Sequence, residues 1–215
     1  MTSRAVLFDL DGTLADTAPD LAAAVNLLRK DQGLDELPLE RVRPFASAGA
    51  RGLVRVGFGV EPGDAEFAAL RDAFLEHYRD RTCVHTRLFP GIAELLEELG
   101  ARSIAWGIVT NKATRFTDRI VSALGLEPDC VVCGDTTAHL KPHPAPLLRA
   151  AEDLKLAPAA CWFAGDDLRD VQAAHAAGMR AAAVQWGYHH PEAGGPGTWQ
   201  ADVLIEHPRD LIRHL

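Results

Sequence analysis

The chain has too little positive charge to predict a nucleic-acid-binding surface. Its 215 residues contain 22 Lys and Arg against 30 Asp and Glu, which gives a formal net charge of −8. Proteins that bind nucleic acid generally cluster an excess of Lys and Arg on one face. The sequence also lacks an apolar run long enough to span a bilayer, and residues 1–4 lead into an apolar run without the core of a signal peptide. We therefore expect a soluble, cytoplasmic protein with no nucleic-acid or membrane partner.

Cysteine is scarce, and the histidines are not arranged as metal ligands. The four cysteines are too few and too scattered for a disulfide framework. Cys130 and Cys133 have CxxC spacing, but residues three apart on an extended strand point to opposite faces, which favours core packing over metal or redox chemistry. The nine histidines include no HExxH pattern, and Pro142 separates His139 from His143. A zinc site is therefore not expected.

Hydrophobic periodicity divides the chain into two parts. Apolar residues recur at helical spacing in residues 20–30 and 65–78, and no convincing strand occurs as far as residue 87. A chain of this length with 47% hydrophobic residues can form one buried core and a smaller subdomain. The pattern predicts a helical insert over residues 18–87, between the two parts of a core domain at 1–17 and 88–215.

Beyond residue 89, apolar runs alternate with helical segments. Strands are predicted at 104–109, 130–133, 161–164 and 181–185, and helices at 92–99, 114–124, after 144 and at 168–177. Such alternation is typical of parallel βαβ units. The predicted fold class is therefore α/β, a doubly wound parallel sheet of Rossmann type with a small helical cap inserted after the first strand. Ligands of such sheets bind beyond the carboxyl ends of the strands.

The first strand ends in two carboxylates one residue apart, Asp9 and Asp11. Side chains alternate along a strand, so both start on one side and can converge just past its end. Gly12 allows a sharp turn, and Thr13 adds a hydroxyl beside the two acids. A strand followed by an Asp-Gly turn is common without any function. Three later apolar runs that end in polar residues make a reaction site the better interpretation.

Polar side chains follow the later strands as well. Thr110 and Asn111 follow one strand, Asp166 and Asp170 follow another, and Lys141 lies in a loop stiffened by proline. Alone, Lys141 fits a solvated loop and Thr110 fits a strand-end turn. Together, clustered carboxylates need a counter-charge, and all-oxygen ligands suit Mg²⁺. This combination indicates phosphoryl transfer by positioning and charge neutralisation.

The motif from Asp9 to Thr17, Asp-Leu-Asp-Gly-Thr-Leu-Ala-Asp-Thr, resembles the first motif of the haloacid dehalogenase superfamily, in its phosphoglycolate phosphatase-like branch. The resemblance covers essentially the whole chain. It implies an α/β core with a helical cap and a phosphatase that works through an aspartyl-phosphate. Asp9 would be the nucleophile, and Asp11 would be the general acid for the leaving group and the base for water.

The same resemblance implies roles for the remaining residues. Thr110 and Asn111 would hold the phosphoryl oxygens, with Thr13 beside them, and Lys141 would neutralise them and orient the nucleophile. Metal ligands would be Asp9, the backbone carbonyl of Asp11, Asp166 and Asp170, with Asp167 in support. The choice between Asp167 and Asp170 as the second acidic partner of Asp166 stays open.

Arg51 is the one charged residue of a small, flexible segment, residues 45–52. It could pair with a substrate carboxylate, or it could be an exposed residue at the start of a helix. Residues 47–51, 106–112 and 165–170 are similar to a subgroup that acts on N-acetylmuramic acid 6-phosphate. The resemblance thus implies a small phosphorylated metabolite as partner, either that sugar phosphate or 2-phosphoglycolate, both of which carry a carboxylate.

Other activities remain to be weighed. A haloacid dehalogenase would need neither Asp11 nor Mg²⁺, so Asp11 and Asp166 count against it. A phosphosugar mutase or a broad-specificity sugar-phosphate phosphatase would keep the whole residue set, so the sequence leaves both open. A binding protein without activity would be expected to have lost part of the set. The sequence leaves open whether the protein is a monomer or a homodimer.

Overall fold

A computed structural model describes residues 4–215. The strands, in chain order, are β1 (Ala5–Phe8), β2 (Ala15–Asp16), β3 (Arg87–Leu88), β4 (Ala105–Val109), β5 (Cys130–Val132), β6 (Cys161–Gly165), β7 (Arg180–Val184) and β8 (Val203–Ile205). The α-helices are α1 (Ala18–Asp31), α2 (Leu39–Val42), α3 (Gly49–Phe58), α4 (Phe67–Arg81), α5 (Ile92–Ala101), α6 (Thr114–Ala123), α7 (Ala145–Asp153) and α8 (Leu168–Ala176). The 3-10 helices are Arg43–Ala48, Pro158–Ala160, Pro191–Ala193, Pro196–Thr198 and Pro208–His214. Two expectations concern residues 1–3: that they begin the core domain, and that they carry no signal-peptide core. These residues lie outside the described part of the chain.

Within the described residues, six strands form one parallel sheet in the order β5-β4-β1-β6-β7-β8. β1 is buried on both faces, as a central strand of a parallel sheet must be. Val6 and Phe8 pack with residues of α5 and α6 on one face, and Leu7 packs with residues of α7 and α8 on the other. Helices therefore cover both faces, and the predicted doubly wound α/β class is confirmed.

The predicted strands and helices after residue 89 are all present, with ends within a few residues of the predicted ones. The sequence prediction missed β8, which has three residues and follows a loop rich in glycine and proline. It also missed the antiparallel pair β2 and β3, because two residues are too few to show alternation.

The segment between β2 and β3 is helical. α1 to α4 pack around their own apolar cluster, which includes Val25, Leu53, Phe74 and Tyr78. Two residues of the sheet unit, Phe116 and Tyr188, join that cluster. We call residues 18–86 the helical insert. The β2–β3 pair lies where the chain enters and leaves it, while the division into domains at 1–17, 18–87 and 88–215 stays a prediction.

Cys130 and Cys133 are buried free thiols. Burial raises the pKa of Cys130 to about 12 and also raises the pKa of Cys133. Buried, protonated thiols are poor nucleophiles and poor metal ligands, which agrees with core packing. Within residues 4–215, the structure contains no helix of the length and apolar character needed to cross a membrane.

Candidate active site

The parallel strands bring three carboxylates together at one edge of the sheet. Asp9 follows β1, and its backbone N–H donates to the carbonyl of Ala164 in the neighbouring β6, at 2.9 Å. Asp166 follows β6, and Asp170 lies in the first turn of α8. Carboxylate oxygens of Asp9, Asp166 and Asp170 lie within 4.8 Å of one another, and all three residues are buried. Three like charges this close favour a bound cation.

Lys141 lies between two of these carboxylates. Its Nζ is 2.9 Å from Oδ1 of Asp9 and 2.8 Å from Oδ1 of Asp170, and it donates to the carbonyl of Val109 at 2.9 Å. Burial lowers the pKa of Lys141, but the carboxylates of Asp170 and Asp9 outweigh burial and hold it above its ordinary value. Lys141 is therefore a charged, fixed cation beside Asp9.

Asn111 fixes the loop that carries Lys141. Its side-chain amide donates to the carbonyl of Lys141 at 3.0 Å, and its side-chain oxygen accepts from the N–H of Lys141 at 2.9 Å. Both ends of the Asn111 side chain are thus engaged with backbone. The position of Asn111 is consistent with orienting Lys141 at least as much as with direct contact to a ligand.

Asp166 is fully buried and is surrounded by hydrogen-bond donors. Its carboxylate accepts from Thr13 Oγ1 at 3.0 Å, from the N–H of Tyr188 at 2.9 Å and from Ser47 Oγ at 3.1 Å. Burial, and then repulsion from the Asp9 and Asp170 carboxylates, raises the pKa of Asp166 well above its usual range. A carboxyl group in such surroundings gains most from a neighbouring cation. The residues present therefore fit a divalent metal ion.

Two glycines allow Asp166 to occupy this position. A Cβ atom on Gly12 would lie 2.2 Å from Oδ2 of Asp166, and the φ of Gly12 is +84°. A Cβ atom on Gly187 would lie 2.1 Å from Cβ of Asp166. Any other residue at either position would overlap the carboxylate, so the backbone is packed directly against it.

Asp167 and Asp170, at the start of α8, have different surroundings. Asp167 is the N-cap of α8 and forms a capping box with Asp170. Burial raises the pKa of Asp167, but Arg169, whose Nε lies 2.8 Å from Oδ1, outweighs burial and lowers it. Burial raises the pKa of Asp170 to about 7, against the opposing effect of Lys141. Asp170 joins the carboxylate group, whereas Asp167 is paired with Arg169.

Asp11 has a cationic partner that the sequence analysis did not identify, Lys112. Its Nζ lies 2.8 and 3.1 Å from the two carboxylate oxygens of Asp11, and 5.0 Å from the ring centroid of Tyr78. Thr17 Oγ1 also donates to Asp11. Burial lowers the pKa of Lys112, but Asp11 and Tyr78 together outweigh burial and hold it above its ordinary value, so Lys112 is charged. The sequence signal that could have identified Lys112 is its position directly after Thr110 and Asn111, at the end of β4.

The site residues surround one cavity of about 330 Å³. Asp9, Asp11, Thr110, Asn111, Lys141 and Asp170 line it. Thr110 is buried at the end of β4, which neighbours β1, and its Oγ1 accepts from the N–H of Lys112 at 3.2 Å. The structure thus brings most of the predicted site residues together.

Thr13 and Arg51 do not line this cavity. The Thr13 hydroxyl donates to Asp166, which is fully buried and does not line the cavity either. Arg51 is exposed on α3 and lines a neighbouring cavity instead. Three cationic residues that the sequence analysis passed over line the cavity that contains Asp9, which is called the main cavity below: Lys112, Arg115 and Arg169. Whether Arg51 faces the cavity depends on which side of α3 is turned toward it. Residues 45–52 are too few to show the helical periodicity from which that side could be inferred.

The helical insert forms the opposite wall. Side chains of Leu21, Phe74, Leu75 and Tyr78, together with the small residues 46–50, line the cavity from that side. The insert also contacts the sheet edge directly: Arg169 donates to the backbone carbonyl of Ser47 at 2.7 Å, and Ser47 Oγ donates to Asp166. The cavity therefore has a charged floor and a largely apolar wall.

Comparison with known proteins agrees with this geometry. The chain is 44% identical over 213 residues to the N-acetylmuramic acid 6-phosphate phosphatase of Pseudomonas putida, covering 98% of this chain and 95% of that protein. It is 43% identical over 210 residues to the phosphoglycolate phosphatase of Xanthomonas campestris pv. campestris, covering 97% and 94%. The fold is similar to the crystal structure of a protein described as a predicted phosphoglycolate phosphatase from Haemophilus somnus. The TM-score is 0.87 and the identity 28%, with 100% and 98% of the two chains covered.

The family profile described as haloacid dehalogenase-like hydrolase matches residues 6–184, a range that begins in β1 and ends with β7. It therefore spans the three carboxylates, Lys141 and the helical insert. Strand topology, site geometry and sequence similarity point the same way: this chain belongs to the haloacid dehalogenase-like hydrolase family.

Proposed function

We propose that this protein is a Mg²⁺-dependent phosphate-monoester hydrolase in which Asp9 is the nucleophile. The observation that carries the proposal is the position of Asp9: it lines the cavity, pairs with Lys141, and lies within 4.8 Å of the Asp166 and Asp170 carboxylates. A carboxylate attacks a phosphate dianion only when positive charge offsets their repulsion. The names of the relatives support the same reaction, because they are phosphatases.

In the proposed reaction, Asp9 attacks the phosphorus atom and the ester oxygen leaves. Asp11 donates a proton to that oxygen and then takes a proton from the water that hydrolyses the aspartyl-phosphate. Thr110 and Lys141 hold the phosphoryl oxygens. Asp9, the backbone carbonyl of Asp11, Asp166 and Asp170 are the proposed ligands of Mg²⁺, which when bound offsets the charge of the phosphate.

Lys112 and Thr17 have a positioning role in this scheme. Both contact the Asp11 carboxylate, and Thr17 is the N-cap residue of α1, where the helical insert begins. The Asp11 side chain is thus held by one residue of the sheet unit and one at the entry of the insert. Its reach toward a leaving group depends on both.

The cavity favours a substrate larger than 2-phosphoglycolate, although both candidate substrates combine a phosphate with a carboxylate. The volume, about 330 Å³, lies at the lower end of the range for organic ligands, roughly 300–1,000 Å³, so the choice rests on the chemistry of the wall and not on the volume. A two-carbon acid would leave the wall formed by Leu21, Phe74 and Leu75 without a partner, whereas the apolar face of an acetamido sugar would cover it. N-acetylmuramic acid 6-phosphate is therefore the substrate we favour.

The test is phosphate release from N-acetylmuramic acid 6-phosphate, 2-phosphoglycolate and 4-nitrophenyl phosphate, with Mg²⁺ and with EDTA. We expect release with Mg²⁺, loss of release in EDTA and recovery when Mg²⁺ is restored. A preference of about 100-fold in kcat/KM, worth about 2.7 kcal/mol, would identify the substrate.

Two results would contradict the proposal. Undiminished release in EDTA would remove the metal requirement. Transfer of phosphate between positions of a sugar, without release, would instead indicate a mutase. A cytoplasmic location and a monomeric or homodimeric state stay predictions from the sequence.

A further inference from the structure

Four cationic side chains among residues 4–215 line the main cavity, and three of them are ion paired. Lys112 pairs with Asp11, Lys141 pairs with Asp9 and Asp170, and Arg169 pairs with Asp167. Within the same described range, Arg115 makes no ion pair and donates no hydrogen bond, although its charge acts on Asp135 and helps to lower the pKa of that carboxyl group. The positive charge available to an additional anionic group of a ligand is therefore that of Arg115.

The position of Arg115 suits a group that binds a carboxylate. It lies in the first turn of α6, five residues after Thr110, and its Cζ lies 4.6 Å from the ring centroid of Phe116. Phe116 is buried and lines the same cavity. Contact with an aromatic face restricts the guanidinium while its N–H donors remain free, so a bidentate contact to a carboxylate costs little further ordering.

Burial separates the two ends of the cavity. Asp9 and Lys141 are 7% and 4% exposed at the floor, whereas Arg115, which lines the same cavity, is exposed to solvent. A ligand that places its phosphate at Asp9 must therefore extend toward solvent to reach Arg115. A carboxylate on the carbon next to the phosphate ester remains at the floor, whereas one attached across a sugar ring can extend outward to Arg115.

We propose that Arg115 binds the carboxylate of a sugar 6-phosphate that carries an ether-linked carboxylic acid, and that it thereby determines substrate choice. This inference rests on the proposed phosphatase function. It assigns to Arg115 the role that the sequence analysis considered for Arg51 as one of two alternatives; Arg51 is exposed and lines the neighbouring cavity.

The experiment compares two substrates that differ only in the acid. N-acetylmuramic acid 6-phosphate carries a lactyl ether, and N-acetylglucosamine 6-phosphate is the same sugar phosphate without it. We expect Arg115→Ala to lower kcat/KM for the first by about 10- to 100-fold, mainly through KM, because a hydrogen-bonded charge pair is lost. The second substrate should change by less than about threefold. Arg115→Lys should lose only part of the preference, because the charge remains and the bidentate geometry does not.

The control is Arg149→Ala, which removes another exposed arginine, on α7 and outside the cavity. It should leave both substrates unchanged. Equal losses on both substrates in Arg115→Ala, or no loss on either, would overturn the assignment. A loss of the preference in Arg51→Ala alone would assign the role to Arg51 instead.

The wild-type protein separates this inference from the function on which it rests. If it releases phosphate from 4-nitrophenyl phosphate but does not prefer the sugar phosphate with the acid, the Arg115 assignment fails while the phosphatase proposal stands. If it releases phosphate neither from 4-nitrophenyl phosphate nor from either of the two sugar phosphates in the presence of Mg²⁺, the proposed function itself fails.

Discussion

The sheet side and the insert side of the cavity differ in how their side chains are held. On the sheet side, Asp9, Lys141 and Asp166 are buried, and each is fixed by hydrogen bonds or ion pairs to neighbours. On the insert side, Leu75 and residues 46–50 meet the cavity with apolar or very small side chains. The floor is thus specified by polar geometry, which tolerates little change, and the wall by shape, which tolerates more. We infer that the sheet side determines the reaction, whereas the insert side, together with Arg115 of α6, determines the choice of ligand.

The largest effect is expected at the sheet side. Asp9→Asn keeps the volume of the side chain but removes the nucleophile, so kcat should fall by roughly four to six orders of magnitude. The fold should persist, because the change also relieves repulsion among three carboxylates. Steady-state kinetics and thermal unfolding measure the two parts.

Asp153→Asn provides the matched control for Asp9→Asn, since within residues 4–215 the one ion pair of Asp153 is with Arg149, at the end of α7. It should leave kcat unchanged. Appreciable turnover by purified Asp9→Asn would exclude the covalent role of Asp9.

A second test disturbs the floor without changing any charged group. Gly187→Ala places a Cβ where it overlaps Asp166, so the carboxylate must shift. Mg²⁺ should then bind about 10- to 100-fold more weakly, the usual cost of disturbing the support of a metal ligand. The Mg²⁺ dependence of phosphate release, and the rise in Tm with added Mg²⁺, both report the affinity.

Gly195→Ala is the control for Gly187→Ala, because a Cβ at Gly195 meets no atom within 4 Å. Its Mg²⁺ dependence should match the wild type. If Gly187→Ala also matched the wild type, the close packing of backbone against Asp166 would not matter for the metal.

The third test compares two buried tyrosines, one on each side. Tyr188 Oη accepts from the N–H groups of Thr17 and Ala18, at 2.6 and 2.9 Å, and lies 3.0 Å from Oδ1 of Asp16. Tyr188→Phe leaves these groups unsatisfied and should lower the free energy of unfolding by about 1–3 kcal/mol.

Tyr78 lies in the insert, and its hydroxyl is buried without a hydrogen-bond partner within residues 4–215. Tyr78→Phe should therefore change the free energy of unfolding by less than about 0.5 kcal/mol. Urea unfolding measures both variants. Equal losses of unfolding free energy in the two variants would show that the hydrogen bonds of the Tyr188 hydroxyl do not contribute to stability.

The smallest effect is expected at the wall. Leu75→Ala removes part of the apolar surface of the cavity, where Leu75 is half-buried. We expect KM for the sugar phosphate to rise a few-fold, from the loss of about 1 kcal/mol of apolar contact. The value of kcat should hardly change, because the contacts of Asp9 are untouched.

Leu148→Ala, an exposed leucine on α7, is the control and should leave KM as it is. A large fall in kcat in Leu75→Ala would show that the wall also affects the reaction, which would contradict the separation of the two sides.

The same contrast explains how far the sequence could predict the site. Asp9, Thr110 and Asp166 each follow an apolar strand, so local pattern together with parallel topology places them at one edge. Lys141 does not directly follow a strand, but clustered carboxylates require a positive counter-charge, and this requirement pointed to Lys141. The charged floor was therefore largely predictable.

The residues that would contact the rest of the ligand were not predictable in the same way. Arg115 of the sheet unit and Phe74 of the insert lie on separate helices, and only tertiary packing brings them to one cavity. Arg51 was a candidate because of its sequence surroundings, yet the orientation of α3 directs it to a neighbouring cavity. Residues that recognise by shape carry no local motif, so a single sequence gives them little signal.

Ser47 connects the two sides, and its consequence is thermodynamic. Its hydroxyl donates to Asp166 and its carbonyl accepts from Arg169, so the 3-10 helix of the insert touches the carboxylate that would hold the ion. If ion binding changes the equilibrium between positions of this 3-10 helix by some factor, its position must change the affinity for the ion by the same factor. A ligand that holds the 3-10 helix against the sheet would then change the affinity for Mg²⁺, and Mg²⁺ would change the affinity for that ligand by the same factor.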